Sequence, residues 1–326
     1  MDADLMDFPA PVDALSSPRL DPDVSIVVPV YRGAHSIGRL RDRLAAAFDA
    51  AGLSHEVIFV EDCGGDDSWE IMQVMAVTYP NVRAVKLSRN FGQHAATLCG
   101  ISRARGRWVA TIDDDLEQPP ESLPGLVRKA QEGYAVVYGV NEARSHARWR
   151  NITSELGRAM FKFAIPSLNR DYTSMRVIDS TIATELRRFQ SPFTFIDGYL
   201  SWLTNNYATV VVPHNQRGHG ESNYSLRKLV AHMIHIFVTF SDLPLRIATW
   251  LGIGASLGGA AWGLAILVGR LLGVVTGGGY ASLMAGITFI GGVQLLILGI
   301  FGEYLGRINF KTAAMPVFLV EKEQGA

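Results

Sequence analysis

From Ser25 to about Tyr138, short continuous apolar runs alternate with stretches of helical periodicity. SIVVPV (25–30), EVIFV (56–60), VRAVKL (82–87) and RWVATI (107–112) are rich in β-branched residues and mostly lack polar alternation. Strands buried on both faces of a sheet have this pattern. Between them, Ile37, Leu40, Leu44, Ala47, Phe48 and Ala51 recur at helical spacing, and Trp69, Met72, Gln73, Ala76 and Val77 do so less cleanly. The rhythm predicts an α/β fold with a mostly parallel sheet covered by helices. In such sheets ligands bind beyond the carboxyl ends of the strands.

The polar residues of interest fall at those ends: PVYRG after the first run, EDCGGDD after the second, SRNFGQ after the third and DDDLEQPP after the fourth. Loops are polar in any protein, but four loops rich in Asp, Arg and Gly converging on one sheet edge predict a shared site. Asp113, Asp114 and Asp115 are consecutive carboxylates at the end of an apolar run, and their repulsion is costly unless something positive binds there. Asp113 and Asp115 can turn toward a common point once the chain leaves the strand, with Glu117 able to join them. Hard oxygen ligands suit Mg²⁺ or Mn²⁺, and Mg²⁺ takes part of its shell from substrate phosphates. Alone, a D-x-D also fits an ordinary solvated acidic turn.

Beyond residue 141 the pattern is more mixed. A helix is predicted through RWRNITSELGRAMFKFA (148–164), followed by the polar segment NRDYTSMR (169–176), another helix and the strand YATVVVP (207–213). In SLRKLVAHMIHIFVTF (225–240), Leu226, Leu229, Val230, Met233, Ile234 and Phe237 share one helical face, while Lys228, His232 and His235 lie elsewhere. That predicts an amphipathic helix lying on a membrane surface, a domain-packing helix being the alternative. Residues 247–269 and 281–302 contain no charge, and each stretch is long enough to cross a bilayer core of about 30 Å. They are predicted as a transmembrane hairpin. Arg227, Lys228 and Arg246 before it and Arg307 and Lys311 after it place both ends, and with them both termini, in the cytoplasm by the positive-inside bias. Gly254 and Gly258 form a G-x-x-x-G pair suited to close helix contact.

The chain of 326 residues has room for more than one domain, and its formal net charge of -1 argues against a nucleic-acid partner. Its opening is acidic and proline-bearing, without the basic and apolar regions of a secretory signal, and is expected to be a mobile tail. Two cysteines without metal-ligand spacing point to a reducing compartment. The expected organisation is a tail over 1–22, a catalytic domain over 23–223, a juxtamembrane helix over 224–245, the hairpin over 246–305 and a cytoplasmic segment over 306–326.

VVPVYR (27–32), VEDCGGDDSW (60–69), LSRNFGQ (87–93) and DDDLEQPPE (113–121), in this order, resemble the inverting family 2 glycosyltransferases, whose nucleotide-sugar domain has the Rossmann-like GT-A fold. DYTSMR (171–176), HNQRGHGESNYSLRKL (214–229), SDLPLR (241–246) and GEYLGRI (302–308) resemble the polyprenyl-phosphate branch, with its dolichol-phosphate mannose synthases and bactoprenol glucose and aminoarabinose transferases. The resemblance covers about 25–320. It implies that Pro29, Tyr31 and Asp62 line the nucleotide pocket, Asp62 holding the base, with Arg89 and Asp114 in the same nucleotide-sugar site. Asp113, Asp115 and Glu117 would hold the metal and diphosphate. Glu117 stands where Gln is usual, and Asp114, expected as a solvated neighbour, where Ala is usual. Arg217, Ser222 and Tyr224 would belong to a mobile loop that gathers the donor and acceptor phosphates, with Asn223 where Lys is usual. Asp115, Asp171 and Arg217 are the implied catalytic set, and Arg176 an implied acceptor-phosphate ligand. Asp171 would act as a base or acceptor-positioning group, a helix or turn cap being the alternative.

The implied reaction is inverting transfer of one sugar from a nucleotide-sugar, a UDP-sugar first, to a polyprenyl phosphate such as undecaprenyl phosphate. It would use Mg²⁺ or Mn²⁺ at the cytoplasmic membrane face and make a lipid-linked donor for cell-envelope glycans; by analogy with the branch the protein would be a homotetramer. Two other readings stand beside it. A processive polysaccharide synthase needs Gln where SHARW (145–149) has Ser, and a channel that two spans cannot enclose. A non-catalytic nucleotide-sugar sensor sits poorly with an intact D-x-D.

Overall fold

The computed structural model describes residues 21–141, 172–189, 194–213, 243–273, 279–312 and 316–325. The predicted helices over 148–164 and 225–240 lie outside the described residues, as does almost all of the N-terminal tail. The four apolar runs are the strands β1 (Val24–Val30), β2 (His55–Glu61), β3 (Val82–Leu87) and β4 (Trp108–Thr111). Helices α1 (Ile37–Ala51), α2 (Ser68–Thr78) and α3 (Gln93–Ile101) connect them in turn. Every position of β1 is buried, as expected of a strand covered on both sides.

Alternate β1 side chains enter two separate cores. Val24, Ile26, Val28 and Val30 join Leu40, Leu44 and Phe48 of α1 and Met72 of α2 on one face. Val27 joins Ile58, Val60 and Val85 and the α3 residues Ala96, Cys99 and Ile101 on the other. This is the two-residue period of a strand, used on both sides. Of the two thiols, Cys99 is buried and Cys63 half-buried, and both are free.

After α4 (Leu123–Gln131) the sheet grows by β5 (Val136–Asn141), β6 (Arg176–Asp179) and β7 (Tyr207–Val212), with α5 (Ser180–Leu186) and α6 (Ile196–Leu203) between the last two. Asp179 caps α5 by accepting the Thr181 N–H at 2.8 Å. Two long helices follow, α7 (Leu243–Leu271) and α8 (Tyr280–Thr312), each with a stretch long and apolar enough to cross a membrane. The chain then returns to the sheet as β8 (Val320–Gln324), antiparallel to β3.

The eight strands lie in the order β7-β5-β6-β4-β1-β2-β3-β8. β1 pairs in parallel with β2 and β4, β2 with β3, and β5 with β7. β6 runs antiparallel to both β4 and β5, so the sheet is mixed beyond its parallel centre. These directions put the ends of β1, β2, β3, β4 and β7 at one edge, where β8 begins, with Val320 opposite Leu87.

Some glycines sit where the packing leaves no room. A Cβ on Gly106 would lie 2.5 Å from the Ser25 backbone nitrogen, whereas one on Gly38, in the first turn of α1, would meet nothing. Gly106→Ala should therefore destabilise the domain by about 2 kcal/mol or more, since backbone cannot move aside cheaply. Gly38→Ala should be neutral or slightly stabilising. Thermal melts of the detergent-purified variants check both.

Candidate active site

Four loops meet at the carboxyl edge, and three contain a non-glycine residue with positive φ: Arg32 (58°) after β1, Cys63 (52°) after β2 and Leu116 (61°) after β4. Such backbone is uncommon for residues with a Cβ and persists only where surrounding contacts enforce it. Those contacts are visible. Asp62, 3% exposed, accepts the Phe91 N–H on one carboxylate oxygen at 2.7 Å and the Gly92 N–H on the other at 2.8 Å. It thereby clasps the β3–α3 loop. Arg32 donates from Nε to the Gly64 carbonyl at 3.1 Å, and the Cys63 thiol donates to the Leu87 carbonyl at 3.0 Å. The Gly33 N–H donates to Ser68 Oγ and the Ala34 N–H to Asp66, binding the first loop to the second.

The aspartate run is held from several sides. Gln93, at the start of α3, donates from Nε2 to Asp113 Oδ1 at 2.6 Å, and Ser174, whose hydroxyl donates to Gln118 Oε1 at 3.3 Å, also favours the charged form of this carboxylate. Asp114 accepts the Tyr31 N–H at 3.2 Å and lies against Gly33, where any Cβ would strike its carboxylate. Asp115 accepts the Glu117 N–H at 3.0 Å, closing the turn around Leu116.

Desolvation is the main force on these groups. It pushes the Asp113 carboxyl above its usual range; Asp115 adds to this, while Ser174, Arg176 and Gln93 oppose it. Asp114 is raised to about 7, first by desolvation and then by the charges of Asp113 and Asp115, against the Tyr31 N–H. Burial raises Asp62 as well, against its two amide donors. A site that resists ionisation of adjacent carboxylates is one that a cation would relieve.

The expected three-carboxylate metal set of Asp113, Asp115 and Glu117 is not assembled. Among the described residues, no three His, Cys, Asp or Glu side chains are grouped to hold an ion. Leu116 reverses the chain between the Asp pair and Glu117, and the Glu117 contribution seen is its backbone N–H. Mg²⁺ or Mn²⁺ needs only one or two carboxylates, because such ions complete their shell with water and phosphate oxygens, and oxygen donors of the kind Asp113 and Asp115 carry suit them.

Arg176 also departs from its expected place. It is 3% exposed on β6, its guanidinium paired with Asp197 of α6 and donating from Nε to Thr111 Oγ1 at 3.1 Å. Thr111 in turn donates to the Ser174 carbonyl. A guanidinium committed to a buried pair is not offered to an acceptor phosphate; it stands behind Asp113 and favours its ionised form. Pro29 is buried within β1 rather than lining a surface, and Tyr31 is 49% exposed at the edge. Arg89 is exposed, its guanidinium 4.5 Å from the Phe91 ring centroid. Asp171, Arg217, Ser222 and Tyr224 lie outside the described residues. Gln93, Ser174 and Asp197 are additions; Gln93, inside the SRNFGQ loop, and Ser174, inside DYTSMR, lay in segments the sequence had marked, whereas Asp197 had no signal.

The family model for glycosyl transferase family 2 matches residues 25–187. An undecaprenyl-phosphate 4-deoxy-4-formamido-L-arabinose transferase of Pseudomonas paraeruginosa is 35% identical over 303 residues, 92% of this chain and 89% of that protein. An uncharacterized glycosyltransferase of Bacillus subtilis is 32% identical, over 92% of this chain and 94% of its own length. Among solved structures, glucosyl-3-phosphoglycerate synthase from Mycobacterium tuberculosis superimposes with a TM-score of 0.50 at 19% identity, covering 67% of this chain and 79% of that one, a likeness of fold.

The raised Asp114 pKa has a definite sign. The folded state binds a proton that the unfolded state has released, so in metal-free buffer stability should fall as pH rises from about 4 to about 7. Asp114→Asn should remove part of this slope, the stability difference from wild type growing across that window. Melting temperatures of both proteins in chelator at stepped pH measure it.

Proposed function

The chain belongs to glycosyl transferase family 2, and from that premise we propose that it moves one sugar from a nucleotide-sugar, a UDP-sugar, to a polyprenyl phosphate with inversion at the anomeric carbon. The observation that carries this is one of placement. The sheet edge bearing Asp62, Asp113 and Asp115 is also the edge where both connections to the long apolar helices are made. β7 ends there at Val212 and β8 begins there at Val320. Thr312, closing α8, is eight residues from Val320, a separation of at most about 30 Å. A helix pair that leaves and returns to one sheet supports an out-and-back crossing, with the loops turned toward the headgroups. The basic residues flanking the pair favour the cytoplasmic face. An acceptor whose tail stays in the bilayer would then present its phosphate where the carboxylates lie.

The chemistry asks little proton transfer of the protein. A phosphate monoester has a second pKa of about 6, so at neutral pH it is already largely dianionic and nucleophilic. What remains is to hold donor and acceptor in line and to stabilise the departing nucleoside diphosphate. A divalent ion held by Asp113 and Asp115 would supply the Lewis acidity for that leaving group. Gln93 orients Asp113, with Ser174 and Arg176 biasing it toward ionisation. Asp62 holds the Phe91–Gly92 turn beside the donor, and the exposed Arg32 and Arg89 bring positive charge to the same edge. Asp171 and the Arg217 loop are the proposed acceptor arm.

The test is to offer the purified full-length protein undecaprenyl phosphate, Mg²⁺ and single UDP- or GDP-sugars, and to seek glycolipid by mass spectrometry. Product from a UDP-sugar is expected. Metal-dependent nucleotide binding with no product from any donor would favour the sensor reading. Asp115→Asn should lower turnover by about 10²-fold or more at saturating Mg²⁺; wild-type turnover in that variant would remove Asp115 from the metal site.

A further inference from the structure

The chain beyond the second long helix rejoins the sheet in a way its composition does not call for. VEKEQ, the sequence of β8, is mostly charged, and its side chains are largely exposed. It is held by its backbone and by specific polar contacts. Ala84 lies opposite Gln324, Val85 opposite Glu323, Lys86 opposite Lys322 and Leu87 opposite Val320, with the register shifting between Lys86 and Leu87. Glu323 bridges two guanidinium groups, its Oε1 2.9 Å from Arg83 Nη2 and its Oε2 3.0 Å from Arg103 Nε. Gln324 accepts from Gln73 of α2 at 3.2 Å, and Val317, Phe318 and Val320 pack on the α3-side core.

The pairing runs one step past the strand. The Ser88 N–H donates to the Leu319 carbonyl at 2.8 Å. Ser88 opens the loop whose Phe91 and Gly92 amides are clasped by Asp62, and the carbonyl just before it, on Leu87, accepts the Cys63 thiol. The turn that carries Arg89 and leads into Gln93 is thus pinned from two directions. Asp62 and Cys63 hold it from the β2 side, and the C-terminal strand holds it from outside the sheet.

We propose that β8 is a positioning element of the donor pocket, with Glu323 as its anchor, fixing the Ser88–Gly92 turn from a segment that follows the membrane helices. The inference rests on the donor reading given above. It makes the nucleotide side of the reaction depend on residues far in sequence from any donor motif. Glu323 touches no substrate; it acts through Arg83 of β3 and Arg103, just past the end of α3, and through the strand on the Ser88 amide.

The experiment uses the full-length protein carrying Glu323→Lys or Glu323→Asp, with UDP as the binding probe and hydrogen exchange as the reporter of the turn. Glu323→Lys should raise both the UDP Kd and the donor KM about tenfold. Its kcat at saturating donor should stay within about twofold of wild type. Exchange at the Ser88, Phe91 and Gly92 amides should quicken. Glu323→Asp, which keeps the charge, should recover most of the affinity. If Glu323→Lys leaves exchange at Ser88 unchanged, a chain ended after Met315 removes the strand outright and should show the same loss of UDP affinity. Faster exchange at Ser88 with wild-type UDP affinity would overturn the inference, as would a fall in kcat with donor binding intact. Failure of the wild-type protein to bind any nucleotide would instead overturn the donor reading beneath it.

Discussion

Crowding of negative charge at the end of β4 is the constraint around which the site is built. Three successive aspartates follow a buried strand, and for the first two, Asp113 and Asp114, desolvation makes the charge costly while the neighbouring carboxylates raise the cost further. The fold answers with donors from the adjoining segments: Gln93 from α3, the Tyr31 amide from the end of β1 and the Glu117 amide from the turn itself. Arg176 adds a positive charge from behind, and Asp197 prevents that charge from being buried alone. These contacts moderate the repulsion without abolishing it, leaving a place where a divalent ion and a diphosphate would find partners.

The loops are strained where they converge, and the strain is shared. Arg32, Cys63 and Leu116 each take up a left-handed backbone in a different loop. Each has a tether beside it: Arg32 to Gly64, Cys63 to Leu87, and the Asp115–Glu117 turn around Leu116. Gly33 and Gly64 belong to the same arrangement, since a Cβ on either would collide with Asp114 or with the Arg32 backbone. The edge is therefore preorganised, with its geometry set by neighbours rather than by local preference.

The parallel centre of the fold was legible because its signal is local. An apolar run followed by a helical period specifies strand and helix within about twenty residues, and β1 to β4 lie within a residue or two of the runs that foretold them. β6 and β8 were not legible. RVID has four residues and begins with an Arg, and VEKEQ carries more charge than hydrocarbon; each is a strand only because a distant edge was waiting for it. The same distinction governs the site. The run Asp113–Asp115 stands out in the sequence by residue type and place, whereas Arg176 looked like a phosphate ligand because its partner, Asp197, lies 21 residues away on another element. Buried ion pairs across such gaps leave no periodic trace.

The position of β8 in the chain also orders the protein's own making. Its partner edge on β3 is synthesised long before it, and both apolar helices come between. Until they have emerged from the ribosome, β3 presents an unpaired row of amides and carbonyls, the kind of edge on which chains pair wrongly. The nascent sheet can close only after both apolar helices exist, so completion of this edge is deferred to the end of synthesis. A chain arrested in biogenesis before β8 would carry the aspartates without the finished wall beside them.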